Sequence, residues 1–225
     1  MPPIGGVANG AMVLRDSSLM KMSFEDFQAV LRPKIQGTIN LDRLFSDPSQ
    51  PLDWFIGFSS IAATVGNPGQ SAYTAGNCFI KALINRRRQQ GLAGSSIDIT
   101  RLVGLGFIER ESHGRLTKEH QERLTTRSGT IAMSENDLHQ LFAEAILSGR
   151  HDLGLDPEII TGLAPISAEQ SKDAYWKTNT RLSLLIREVG KGGTQGGEIG
   201  NAVPVRQLLE AAKNMQDAVK VLSGT

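Results

Sequence analysis

FIGFSSIAATVGNPGQSAYTAGNCFIKAL, residues 55–83, is the stretch on which the reading of the whole chain turns. With Trp54 before it, its first residues form an unbroken apolar run of strand length, the pattern of a strand buried on both faces of a parallel sheet. Ser59 and Ser60 end the run. Gly66-Asn67-Pro68-Gly69 can neither extend a strand nor start a stable helix, so the chain turns there, beyond the carboxyl end of the strand. In open parallel α/β sheets that end is where ligands bind.

From Ser71 the small residues Ala72, Ala75, Gly76 and Ala82, with Phe79, Leu83 and Ile84 at helical spacing, predict a helix to about Gln90, closed by Gly91. Tyr73 and Asn77 are four residues apart and share one face of it. Ser60 precedes Tyr73 by thirteen residues across a strand end and a turn. Three side chains with hydroxyl or amide groups are thereby expected at one polar cleft.

These residues resemble the active-site segment of short-chain dehydrogenases/reductases, and within that superfamily the ketoreductase domain of fungal-type highly reducing type I polyketide synthases. The resemblance is carried by Phe58-Ser59-Ser60-Ile61-Ala62, by Asn67-Pro68-Gly69-Gln70, and by a Tyr-x-x-x-Asn pair, Tyr73 and Asn77, where most of the superfamily has Tyr-x-x-x-Lys. It implies NADPH-dependent reduction of a β-ketoacyl thioester to a β-hydroxyacyl thioester. Tyr73 is then the proton donor and Ser60 the holder of the carbonyl oxygen, with Ser59 as the alternative serine. Lys34 matches the family's Lys-x-x-Gly-x-x-Asn-Leu through Gly37, Asn40 and Leu41, and its ammonium favours the phenolate; Asn77 orients Lys34 or the proton relay. Asn9, Gly10, Ala11 and Met12, with Leu102 and Val103, are implied to line the cofactor. Leu14-Arg15-Asp16 stands in place of the family's Leu-Asp-Asp, so Leu14, Asp16 and Gln70 are implied to bear on hydroxyl stereochemistry, with Arg15 leaving the configuration open.

Composition describes an ordinary globular protein: 225 residues, net charge +1 and 40% hydrophobic, with no electrostatic case for nucleic acid. No apolar run is long enough for a membrane span, and residues 1–4 lack the pattern of a signal peptide. The single cysteine, Cys78, has no internal disulfide partner; it fits a cytoplasmic location and reads as a packing residue.

Along the rest of the chain, residues 4–14 read as a strand running into a glycine-containing loop. Ser23 caps a helix with Glu25 and Asp26 in its first turn; Pro33 is expected to interrupt it, and a helical spacing resumes through Ile35, Ile39, Leu41 and Leu44. Arg86, Arg87 and Arg88 read as a solvated basic helix end. Residues 95–100 predict a strand, 104–107 a loop, and the charged stretch 109–127 a lid in which His113 and His120 are exposed rather than metal ligands. Ser134 caps a further helix, and residues 158–163 predict a last strand. Residues 190–200 hold six glycines and read as a linker, and 203–222 as an amphipathic helix similar to the lead-in of an acyl carrier domain, without its attachment motif.

The fold class expected is thus α/β: a partial Rossmann-like parallel sheet without its first βαβ unit, because no Gly-x-Gly-x-x-Gly turn follows a strand, with a C-terminal linker and helix. Residues 1–170 are expected to form the C-terminal half of a ketoreductase domain, 171–202 a post-domain segment and linker, and 203–225 the helix. Partners implied are an acyl thioester on an acyl carrier domain and the remainder of a synthase, with self-association through an unpaired strand edge, and the chain alone is expected to be inactive. Two other functions compete: a non-catalytic scaffold that associates with a synthase or acyl carrier protein, and a small reductase that takes its phosphate-binding half from another chain.

Overall fold

The computed structural model describes residues 2–103, 129–167, 174 and 176–187, all within one compact unit, Met1–Glu188. The loop read at 104–107, the lid with His113 and His120, the glycine tract and the helix at 203–222 lie outside the described residues.

Four strands make one parallel sheet in the order β1 (Gly6–Asn9), β2 (Trp54–Ser60), β3 (Ser95–Ile99), β4 (Glu158–Ile160). In β2 the neighbours Phe55 and Ile56 are both fully buried although they point to opposite faces. Phe55 packs with Leu52, Ile80 and Ile84 beneath helices α1 (Phe24–Leu44) and α3 (Ser71–Gln89). Ile56 packs with Ile97 and Ala145 beneath α4 (Glu135–Ser148), where Trp54 meets Phe142 edge-on with ring centroids 5.4 Å apart. Helices on both faces are why the strand reads as a continuous apolar run. β1 has one neighbour, β2, and Ala8 within it is exposed, so it is an edge strand among the described residues.

Local signals behave largely as the residue types dictate. The Ser23 hydroxyl accepts from the Asp26 amide at 3.0 Å, and Ser134 and Asp137 form a reciprocal capping box at α4. A short helix, α2 (Ala62–Val65), follows β2, and the turn after it uses Gly66 and Gly69, both at φ +82, where other residues would be strained. Past α3, Gly91 adopts φ +75.

Two expectations are corrected. Pro33 does not interrupt α1, which runs unbroken from Phe24 to Leu44. A proline lacks the N–H owed to the preceding turn, but packing of α1 along α3 holds the helix together, and the Pro33 carbonyl accepts from Asn9 Nδ2 at 3.3 Å. The basic end of α3 is a solvated face only at Arg86, whose side chain is 59% exposed. Arg87 is 1% exposed: it donates to Asp42 Oδ1 on α1 at 2.7 Å and to the carbonyls of Ala93 and Phe45, and it lies over the Phe55 ring at 4.2 Å. Arg88 donates to the carbonyls of Gly149 and Leu155. The carboxylate, carbonyls and ring that make this burial tolerable all come from other elements.

The last strand is shorter than the run read at 158–163. Beyond it, β5 (Ile166–Ser167) and β6 (Ile186–Arg187) pair in a small second parallel sheet, and Val65, Ala174, Trp176 and Leu182 form a separate apolar cluster. No helix among the described residues is long and apolar enough to cross a membrane.

Candidate active site

The polar residues predicted from sequence gather at the carboxyl ends of β1 and β2, between α1 and α3. Along α1, Val30, Lys34, Thr38 and Asp42 recur every four residues as a buried stripe facing α3. The two helices touch most closely at Gly76, where a Cβ would sit 3.0 Å from Lys34 Cβ, tighter than side chains tolerate without a shift. Glycine at that point brings Lys34 to the α3 face that carries Tyr73 and Asn77.

Lys34 is 2% exposed. Its Nζ donates to the Phe58 carbonyl at 2.7 Å and stands 5.5 Å from the Tyr73 ring centroid. Burial lowers its pKa to about 8. Tyr73 is half-buried, with its hydroxyl 3.9 Å from Met12 Sδ. Burial raises its pKa; Asn77 and Ser60 work against that by favouring the phenolate, and the charges of Asp16 and Asp98 add to the rise. Asn77 is fully buried, and neither amide atom has a hydrogen-bond partner of good geometry among the described residues, so its influence on Tyr73 is one of proximity rather than a formed bond. Ser60 Oγ accepts from the Ala62 amide at 3.2 Å; Ser59 Oγ, the alternative, is buried without a hydrogen-bond partner among the described residues.

Asn9 ties the end of β1 to α1, donating to Thr38 Oγ1 at 2.9 Å and the Pro33 carbonyl while its Oδ1 accepts from the Ala11 amide at 3.1 Å. Gly10 and Ala11 are exposed beyond that clamp. Asp16 accepts from Gln70 Nε2 at 2.8 Å and the Ser17 amide donates to the Gly69 carbonyl at 3.0 Å, so the segment after β1, with Leu14, is fastened to the loop before Tyr73. Leu102 and Val103 follow the end of β3, where Leu102 bridges to Met133 and the Val103 amide donates to the Met133 carbonyl at 2.9 Å.

Lys81 and Asp98 were not anticipated. Lys81 continues the series Tyr73, Asn77 at the next turn of α3, which is the signal that marked it, and Asp98 is a carboxylate inside an otherwise apolar or hydroxyl-bearing strand.

A parallel sheet clothed by helices on both faces, with Ser60, Tyr73, Asn77 and a buried lysine at its carboxyl edge, is the architecture of a Rossmann-like α/β protein. Residues 1–103, a little under half of the chain, match the family model described as KR domain. The chain is 48% identical to fusarielin synthase FSL1 of Gibberella zeae over 99% of its length, and 43% identical to trichosetin synthetase PKS-NRPS1 of Gibberella fujikuroi over 100%. It spans only 9% and 6% of those two proteins. Among solved structures, a ketoreductase from the first module of phoslactomycin biosynthesis in Streptomyces sp. HK803 is 30% identical with a TM-score of 0.57, the match covering 70% of this chain and 33% of that one. An A-type ketoreductase from a modular polyketide synthase is 28% identical with a TM-score of 0.57, covering 72% and 31%.

Proposed function

We propose that this chain carries the acid–base half of a site that reduces a β-ketoacyl thioester, held on an acyl carrier domain, with NADPH, and that it works as part of a larger synthase. The observation that carries the reading is the meeting of Tyr73, Lys34, Asn77 and Ser60 from α3, α1 and the end of β2 in one partly buried place.

NADPH, when bound, supplies the hydride that reaches the carbonyl carbon. The residues present suit its nicotinamide end: Asn9 is held by α1, leaving the small residues Gly10 and Ala11 exposed beside Met12, and the orphaned amide of buried Asn77 needs a polar partner. Gly10, Ala11 and Met12, with Leu102 and Val103 at the end of β3, would line it. The pyrophosphate end is expected on parts of the synthase beyond this chain, as is the acyl carrier domain.

As the carbonyl oxygen gains negative charge, Ser60 donates a hydrogen bond to it and Tyr73 gives up its phenolic proton. Donation leaves a phenolate on a residue whose burial opposes charge, and the Lys34 ammonium close to the ring offsets that. Asn77, one turn of α3 past Tyr73, orients Lys34 or the proton relay. Leu14 and the Asp16–Gln70 bond beside the loop before Tyr73 set the face from which the ketone is met, and so the hydroxyl configuration.

The test is Tyr73→Phe in the intact synthase, with release of β-hydroxyacyl product as readout. Loss of a general acid costs on the order of 100- to 10,000-fold. NADPH binding that survives alongside that loss supports the reading, and reduction within threefold of the parent refutes Tyr73 as donor.

A further inference from the structure

Behind the proposed site lies a charged cluster that the reaction described above leaves unused. Lys81 lies one helical turn past Asn77 and two past Tyr73, so the three side chains share a face of α3. Its Nζ is 2.9 Å from Asp98 Oδ2 on β3 and also pairs with Glu158 on β4. Thr64, from α2, donates to the same Asp98 oxygen at 2.6 Å. The Asp98 side chain is fully buried, and its Oδ1 has no hydrogen-bond partner among the described residues. Apolar contacts would seat α3 on the sheet at lower cost than a desolvated ion pair with an unpartnered oxygen. A charge pair kept in such a place has electrostatic reach, because Coulomb interactions fall only as the inverse of distance and are weakly screened in the interior.

We propose that Lys81 and Asp98 are a positioning pair for the reaction: they seat the Tyr73–Asn77 face of α3 against β2 and β3, and Lys81 cancels a buried negative charge that the Tyr73 phenolate would otherwise face. This rests on the reading of Tyr73 as the proton donor. The groups that face Tyr73 are the Lys34 ammonium from α1, the Asp16 carboxylate from the segment after β1, the Asp98 carboxylate from β3, and the neutral Asn77 and Ser60. The charged groups that face Lys81 are Asp98 and Glu158; although burial is the largest single influence on its ammonium and disfavours it, those two carboxylates together hold its pKa above the ordinary value.

The chain has two tyrosines, Tyr73 and Tyr175, so the full 225-residue chain carrying Tyr175→Phe and labelled with carbon-13 at the tyrosine ζ carbon gives one resonance whose pH midpoint reports Tyr73 directly. This readout needs neither cofactor nor ketone. It therefore succeeds or fails separately from the ketoreductase reading, which loss of reduction in Tyr73→Phe decides. Lys81→Met should raise the midpoint by about half a pH unit or more, the scale of an interior charge a helical turn or two away. Asp98→Asn should lower it by a similar amount, and the double variant should return near the parent. Should Lys81→Met fail to fold, Asp98→Asn decides alone, since Lys81 keeps Glu158 as a partner there. A midpoint unmoved in a single variant whose circular dichroism is native, or shifts of the same sign in both singles, overturns the proposal.

Discussion

Replacing Lys34 by methionine should change how the stability of this protein depends on pH. The folded protein holds the Lys34 pKa near 8, against 10.5 for the free side chain, because burial penalises the ammonium. For a base the sign is fixed: between those values the unfolded chain binds the proton and the folded chain does not, so stability rises with pH across that window. A gap of about 2.5 pH units at ~1.36 kcal/mol each amounts to ~3 kcal/mol between pH 7 and pH 11. Met fills a similar volume without a charge, so Lys34→Met lacks this term and should exceed the parent by up to ~3 kcal/mol at pH 7, with the advantage fading above pH 8 and gone near pH 10.5. Loss of the bond to the Phe58 carbonyl shifts the variant's curve as a whole and leaves its slope alone. Urea unfolding of both proteins at pH 7, 8, 9 and 10, at a concentration where sedimentation shows one species, measures the difference; titrations elsewhere in the chain cancel in it. Parallel curves would show that Lys34 titrates alike in both states and would remove the physical basis for its tuned ammonium.

Other outcomes follow from the same contacts. Gly76→Ala inserts a methyl group 3.0 Å from Lys34 Cβ and should destabilise by about 1 to 3 kcal/mol in urea, while moving the Tyr73 resonance; a neutral effect would show that α1 and α3 can part freely. Arg87→Met strips the buried Asp42 carboxylate of its buried partner and leaves it Arg86 alone, which should cost on the order of 3 kcal/mol in chemical denaturation, far beyond the near-zero effect of removing a solvated arginine. The edge of β1, which pairs only with β2 among the described residues, should promote self-association of the 225-residue chain, visible as concentration-dependent sedimentation. A monodisperse monomer with strong amide protection at residues 6–8 would contradict it.

What was legible in the sequence was what rests on local signals. The run at 54–58, the Gly-Pro-Gly turn and the serine caps are decided by residues close together in the chain, and the order of strand, turn and helix around Tyr73 stands as read. Pro33 misled because the rule for proline concerns an isolated helix, whereas α1 is supported along its length by α3. Arg87 misled for a related reason: helix position describes the dipole but says nothing of Asp42, forty-five residues earlier, which decides that Arg87 goes inward. Around the site, Tyr73, Asn77 and Ser60 were placed at one cleft by spacing, whereas their roles, and Lys34 itself, were reached by resemblance. Their spacing alone does not show that Lys34 is buried, although the stripe of residues 34, 38 and 42 was there to be seen. Asp98 was hidden because a lone carboxylate in a strand reads as outward-facing until Lys81 and Thr64 are known to stand over it.

Lys34 finds its hydrogen-bond acceptor in the main-chain oxygen of residue 58, not in any side chain. Every amino acid carries that oxygen, so the anchor cannot be lost by point substitution at its own position while the path of β2 is preserved. Mutational drift can therefore reach the arrangement from only one side, through Lys34 itself or the glycine that lets it approach. A substitution scan of β2 would score residue 58 by the fit of its ring against Phe142 and return no trace of its contact with the lysine. The most constrained acceptor at this site is thus one that sequence variation cannot report.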